Sequence, residues 1–254
     1  MKDVVNILLV DTTTEACSCA ILHWKKNVQD DNQITEDNLF YRYQVAPRKH
    51  AELILPMIDE LFDESELQWG DLHALAFIRG PGAFTGVRIG TGIIQGLSLA
   101  TKLPVIGLSS LQLMAQGAHC LHGAEICLSA IDARMDELYW GEFQLNDAGI
   151  MALVGEEQVI SPEKLNMPSP EKYGAGKKLV GVGTGWAAYK DILQRKKPDD
   201  FYHLDDINLP NTAWATAMLK HAWETQDLMS TECIKPIYLR NQVAKKPSNL
   251  AIKK

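Results

Sequence analysis

"VVNILLVDTTTEACSCAILHW", Val4 to Trp24, reads as two apolar runs joined by a polar turn, with the first run ending in Asp11. Short runs rich in Val, Ile and Leu, broken by turn residues, suit strands better than helices. The stretch therefore predicts an antiparallel hairpin with an aspartate at its tip. The same plan returns further along the chain. "EICLSAID" ends in Asp132, a short turn follows, and "ELYWGEFQ" is the return strand.

The surroundings of the two hairpins also match. After the first come a polar loop, a strand "LFYRYQV", a helix "HAELILPMIDELF", a buried strand "ALAFI", a helix "GVRIGTGIIQGLSLAT" and a short strand "LPVIGL". In the first of these helices Ala51, Leu55, Ile58 and Phe62 fall on one line, and Pro56 must lie near the first turn or kink it. In the second half a helix "SSLQLMAQGA" is opened by Ser109 with Gln112 three residues on, a capping box. "KLVGVGTGW" then runs from a strand through a glycine turn into the helix "WAAYKDILQ", as "ALAFIRGPGAFTG" does in the first half. A duplicated unit with an Asp-ended hairpin at each start points to the α/β actin-like (ASKHA) architecture. In it, two subdomains, each a central mixed sheet with flanking helices, face one another across a cleft. The expected subdomains are 1–107 and 108–254, the latter with an extended tail and a last helix near Ala213 to Thr225 that is free to return to the first subdomain.

The bulk properties fit this reading. The 254 residues are 46% hydrophobic and 22% charged, the balance of a globular chain. The apolar run near the N-terminus is broken by Asp11, so neither a signal peptide nor a membrane span is expected, and the expected compartment is the cytoplasm. A net charge of -7 disfavours strong nucleic-acid binding by this chain alone, since phosphates must be neutralised by a basic footprint. Five cysteines suit reduced thiols, and Cys17 and Cys19 are expected to face the same side of a strand. "HCLH", His119 to His122, has no second pair of ligands at a useful spacing, so no metal is expected there.

The glycine-rich stretch "RGPGAFTGVRIGTGIIQGLSLA", Arg79 to Ala100, looks like a phosphate loop and fails both tests for one. Gly80 and Gly86 are one residue too far apart for a Walker loop, and Val87 stands where lysine is required. Gly80 and Gly82 are followed by Thr85, where the dinucleotide fingerprint needs glycine. What remains is a strand-to-helix turn with Thr85 as the expected N-cap. Two readings stay open: an anion held by backbone N–H groups at the helix start, or a tight turn and nothing more. An anion or vestigial nucleotide site would draw on Asp11, Thr12, Gly80, Gly82 and Thr85. In the helix, Gly86 and Gly90 are four apart, as are Gly92 and Gly96. Each glycine costs about 1 kcal/mol against alanine in a helix interior. Close approach of another backbone explains them better than phosphate does, the partner being a neighbour in the same domain or a helix of another chain. Neither hairpin carries the glycine that lets ATP-hydrolysing relatives hug a phosphate. "TTTEA" follows Asp11 and "ARMDE" follows Asp132, where Arg134 and Asp136 have the option of pairing.

Six stretches resemble one family: "ILLVDTTTEACSCAIL", "HAELILPMIDELF", "RGPGAFTGVRIG", "PVIGLSSLQLMA", "IDARMDELYWGEF" and "PIYLR" at Pro236 to Arg240. In this order they are similar to the bacterial TsaB (formerly YeaZ) family of threonylcarbamoyladenosine-biosynthesis accessory proteins, across nearly the whole chain. The loop between Lys25 and Asn38 is longer than usual, and the tail "NQVAKKPSNLAIKK" is extended.

The resemblance implies an actin-like chain without independent catalysis. Its partner would be a TsaD-type subunit, which transfers a threonylcarbamoyl group to N6 of adenosine 37 in tRNAs that read ANN codons. A TsaE-type ATPase would join them, and tRNA would be met only through the complex. TsaD enzymes hold metal with a His-x-x-x-His pair, and no such pair occurs among the seven histidines here, His50 being the nearest lookalike. No catalytic or metal-ligating residue is expected, and no cofactor bound by this chain alone; ATP and magnesium would be used by the complex. Docking through first-domain helices implies an interface at Leu55, Ile58, Phe62, Gly86, Arg88, Gly90, Ile93, Gly96 and Leu97. The same face would make a homodimer when TsaD is absent.

Two enzymatic alternatives stand beside this reading. An actin-like ATP-dependent phosphotransferase would use Asp11 and Asp132 with magnesium. A glycopeptidase would need a zinc site or an activated nucleophile, and neither His-Glu-x-x-His nor a serine in "GAFTG" is present. Arg79 and Arg88, flanking the glycine turn, are placed either to hold a carboxylate or phosphate or to stand in solvent. "PIYLR" is expected to tack the C-terminal segment onto the body.

Overall fold

The computed structural model describes residues 4–25, 38–174 and 176–240. The long loop after Lys25 and the tail after Arg240 lie outside the described residues.

Strands β1 (Val4–Asp11), β2 (Ala16–Lys25), β3 (Asn38–Val45), β4 (Ala74–Ile78) and β5 (Val105–Leu108) form one sheet, in the order β3-β2-β1-β4-β5. The first three pair antiparallel, and β1, β4 and β5 run parallel. The second sheet repeats this arrangement. Strands β6 (Ile126–Arg134) and β7 (Glu137–Leu145) make the hairpin, β8 (Met151–Leu153) and β9 (Gln158–Ile160) pair with β7, and β10 (Leu179–Val182) and β11 (Phe201–His203) add in parallel beside β6. This is a duplicated α/β fold of the actin-like class.

Alternation along the central strands explains why each sheet is covered on both faces. Leu8, Val10, Cys17, Cys19 and Ile21 turn to helices α1 (His50–Ser65) and α2 (Phe84–Thr101). Val5, Ile7, Leu9 and Leu22 turn to the opposite face. Helix α3 (Ser110–His122) lies between the sheets, giving Leu113 to the first and Leu111, Met114, Ala115 and Ala118 to the second. Helices α4 (Thr184–Ala188) and α5 (Lys190–Lys196) cover the far face of the second sheet with Trp186 and Leu193. The last helix, α6 (Thr216–Glu224), returns to the first sheet, where Met218, Leu219 and Ala222 complete the face that Val5, Ile7 and Leu9 present.

Local departures from the sequence reading have identifiable causes. Pro56 stands in the second turn of α1, exposed, and the Glu52 carbonyl that its missing N–H would have served belongs to an exposed residue. Ala51 and Leu55 lie on the outer side of that helix; its buried stripe is Ile54, Met57, Ile58 and Leu61. Ser109 caps α3 by accepting from Leu111 and Gln112 N–H. The reciprocal half of the box is absent because the Gln112 amide donates to the Met151 carbonyl instead, at 3.1 Å. The helix expected over "WAAYKDILQ" breaks at Tyr189, whose hydroxyl reaches Asp132 and the Glu137 carbonyl.

Candidate functional site

The first hairpin ends in a turn that folds onto itself. One oxygen of Asp11 accepts from the Thr13 N–H at 2.8 Å and from the Thr13 hydroxyl at 2.7 Å, a local bond that short acidic side chains make readily. The turn then seats directly on α2. Ala83 N–H donates to the Thr13 carbonyl at 2.7 Å, and the Thr12 hydroxyl donates to the Gly86 carbonyl at 2.7 Å. A Cβ at Gly82 would stand 2.2 Å from the Thr13 carbonyl oxygen, one at Gly86 2.0 Å from that of Thr12, and one at Gly90 2.7 Å from the Thr12 hydroxyl. Gly82 just before α2, with Gly86 and Gly90 in its first turns, thus leaves a groove, and the hairpin lies in it.

This settles which glycines do what. Gly86 and Gly90 were expected on a partner interface, but they are buried under Thr12. Ile58 is 1% exposed and belongs to the core. Ile93 and Leu97 are half-buried against the same core, and Phe62 packs on Trp69 with ring centroids 4.6 Å apart. Gly92 and Gly96 are different, because a Cβ at either would meet open space. With Leu99, 61% exposed, they form the outer strip of α2, and Leu55 is 48% exposed on α1. Thr85 is not the N-cap. The helix starts at Phe84 with Ala83 as cap, because the bond to Thr13 fixes the Ala83 backbone and leaves Thr85 exposed in the first turn.

Asp11 is sealed. Its second oxygen is buried with no hydrogen-bond partner among the described residues. Burial pushes its carboxyl up to about 7, against the lowering effect of the two Thr13 bonds. The folded chain therefore holds this proton more tightly than the unfolded chain does. The associated stability is full below the ordinary value of 3.8 and is lost as pH rises through about 7. Asp11→Asn removes the titration. Relative to the parent, the variant should gain about 2–3 kcal/mol more stability at pH 8 than at pH 5. Denaturant melts at the two pH values check this, and a pH-independent difference would contradict it.

The second hairpin closes differently. Arg134, Met135 and Asp136 all take positive φ, so the turn doubles back tightly without glycine. Arg134 pairs with Asp132 at 3.0 Å and reaches Glu15 of the first hairpin at 3.6 Å, rather than pairing with Asp136. Its left-handed backbone turns the guanidinium back over its own strand and toward the other half. Asp132 also accepts from the Arg134 N–H and from Tyr189.

The C-terminal segment straps the two halves together. Gln95 donates to the Ile234 carbonyl, Ile237 N–H donates to the Arg79 carbonyl, and Arg240 pairs with Glu137 at 2.6 Å. Between these anchors Tyr238 lies beside α2, its hydroxyl accepting from Arg88 Nε at 2.8 Å. The hairpins, the start of α2 and the strap enclose a cleft of about 1010 Å³. Arg88 lines it and Arg79 does not; the Arg79 Nε is buried with no partner among the described residues. Phe84 and Tyr238 also line the cleft, brought together with ring centroids 5.9 Å apart by segments distant in sequence, which no local pattern signals. Of the "HCLH" histidines, His122 pairs with Asp206 at 2.8 Å and His119 contacts the Ala124 carbonyl.

The fold and this geometry define an actin-like chain whose hairpin tips are occupied, one by a helix and the other by an arginine. Beside the cleft that the hairpins line, the Thr12–Thr13 turn is packed on α2 and Asp132 pairs with Arg134. The family model of tRNA N6-adenosine threonylcarbamoyltransferase, TsaD, matches residues 42–248. The tRNA threonylcarbamoyladenosine biosynthesis protein TsaB of Escherichia coli K12 is 38% identical over 94% of this chain and 96% of its own length. That of Haemophilus influenzae Rd is 39% identical over 94% and 95%. Among solved structures, YeaZ from Pseudomonas aeruginosa is 38% identical with a TM-score of 0.80, covering 92% of this chain and 100% of its own. A crystal structure from the same organism, described as similar to peptidase YeaZ, is 40% identical with a TM-score of 0.80 over 93% and 100%. The chain belongs to the TsaB (YeaZ) family.

Proposed function

We propose that this chain is a subunit without catalysis of its own that binds a TsaD-type threonylcarbamoyltransferase. It supports formation of N6-threonylcarbamoyladenosine at position 37 of ANN-decoding tRNAs, and a TsaE-type ATPase joins the pair. The observation that carries the non-catalytic reading is the fate of the two hairpin aspartates. Asp11 has one oxygen spent on Thr13 and the other buried away from the cleft lining, and Asp132 is engaged by Arg134 and Tyr189, which supports a reading in which neither positions a metal or a nucleophile. ATP and magnesium are then consumed by the complex and not by this chain. The subunit acts by binding the active shape of its partner preferentially, which shifts the partner's population toward that shape.

The docking face draws on apolar and glycine positions that α1 and α2 leave exposed, among them Leu55 on one, and Gly92, Gly96 and Leu99 on the other. Backbone exposed at paired glycines permits a facing helix to approach closely. A second copy of the chain would use the same face, so homodimer and heterodimer compete. No helix among the described residues is long and apolar enough to cross a membrane. The complex works in the cytoplasm, and tRNA reaches it through the partner, in keeping with the net charge of -7 on this chain.

The test is reconstitution with purified TsaD, TsaE and the enzyme that makes threonylcarbamoyl-adenylate, read by nucleoside mass spectrometry of the tRNA. Modified adenosine is expected only when this chain is present. Modification at full rate without it would refute the proposal.

A further inference from the structure

The cleft beneath the C-terminal strap has no part in the proposed docking, and its lining is chemically specific. Its walls are mainly apolar, with Val87 from α2, Ile131 and Ala133 from the second hairpin, Leu209 and Ile237 among them. At about 1010 Å³ it is at the upper end of the range in which proteins hold small organic molecules. Its mouth keeps large apolar side chains in water, Phe84 at 49%, Tyr238 at 46% and Met135 at 43% exposure. A cluster of that kind at a concave site marks a contact surface.

The charges in the cleft are not equivalent. Arg134 is engaged by Asp132 and Glu15, and Arg240 by Glu137. Arg88 has no carboxylate partner among the described residues. Its guanidinium carbon lies 3.6 Å from the Phe84 ring centroid and 5.8 Å from that of Tyr238, and Nε is spent on the Tyr238 hydroxyl. Stacking on aromatic faces fixes the plane of the guanidinium. Its two terminal nitrogens, unpartnered among the described residues, keep the fork geometry that suits a carboxylate, sulfonate or phosphate. An oriented cation at one edge of an apolar cleft selects a ligand with an apolar body and one anionic group.

We infer that this cleft is a binding site for a small organic anion of that kind, with the anionic group on Arg88 and the apolar body against Val87, Ile131 and Leu209. Arg88 stands one turn before Gly92 on α2, so the site borders the docking face, but the isolated chain forms its whole lining and it does not depend on the proposed function.

The isolated chain can be titrated with 8-anilinonaphthalene-1-sulfonate, with uncharged N-phenyl-1-naphthylamine, and with magnesium–ATP, by calorimetry and fluorescence. One saturable site is expected, preferring the sulfonate to the neutral compound by about tenfold, as one charge-assisted contact provides. Arg88→Gln should erase that preference while leaving the neutral compound bound. Ala188→Trp, on an exposed residue of the opposite wall, should remove binding of both, with thermal melts confirming that each variant is folded. Equal affinity for the charged and neutral compounds in the parent chain would overturn the inference. So would binding that survives Ala188→Trp but falls with Leu99→Glu, which would place the dye on the outer face of α2. Tighter binding of magnesium–ATP would replace the inferred site with a nucleotide site.

Discussion

Gly86→Ala is expected to destabilise the chain by about 3 kcal/mol, the upper part of the range for forcing a methyl group into packed structure. The added carbon would stand 2.0 Å from the Thr12 carbonyl oxygen, and that oxygen belongs to backbone that cannot swing aside. Either α2 must lift off the sheet, breaking the Thr12 and Ala83 hydrogen bonds, or the hairpin tip must deform around Asp11. The same substitution six residues later should have the opposite sign. Gly92 lies in the middle of α2 with open space where its Cβ would be, so Gly92→Ala should stabilise the isolated chain by about 1 kcal/mol through helix propensity. Denaturant midpoints for the two variants provide the check. If Gly86→Ala were neutral, the hairpin would not be seated on the helix as described.

Leu99→Glu should reduce tRNA modification in the reconstituted system at least tenfold while leaving the melting temperature of the chain within about a degree. Leu99 is 61% exposed, so the substitution removes little from the folded core. At a closed helix contact it would bury a carboxylate without a partner, for which a cost of several kcal/mol is usual. Gly90→Leu, at another residue of the interface expected from the sequence, would mislead. Its side chain would be driven into Thr12, and lost activity would then report unfolding. Size-exclusion chromatography of Leu99→Glu with TsaD adds a direct readout. An intact heterodimer would mean that the partner docks elsewhere.

The hairpins, the duplication and the identity of most elements were readable because they rest on local patterns. Alternating apolar runs ending at Asp11 and Asp132 need no tertiary information to be recognised. The direction in which the α2 glycines face was not readable. Gly82, Gly86 and Gly90 share a spacing of four with Gly92 and Gly96, and spacing places residues on a common face without naming what lies opposite. One set meets the first hairpin and the other meets solvent, a distinction made only when β1 and β2 are laid against the helix. The pairing of Arg134 with Asp132 and Glu15 escaped for a similar reason, since it depends on three successive left-handed backbone conformations at non-glycine residues. The contact of Arg88 with Tyr238 joins residues 150 positions apart, beyond any periodicity.

Met218, Leu219 and Ala222 on α6 cover the face of the first sheet formed by Val5, Ile7 and Leu9. On the ribosome this means that the opening strands are made early and roofed almost last. The nascent first half must wait with an uncovered apolar face until the chain is nearly complete, the condition in which trapping and aggregation compete with folding. A gene truncated before residue 212 should give an insoluble product even though every residue of the first sheet is present. Splitting this chain into its two apparent halves would therefore separate a sheet from its own lid.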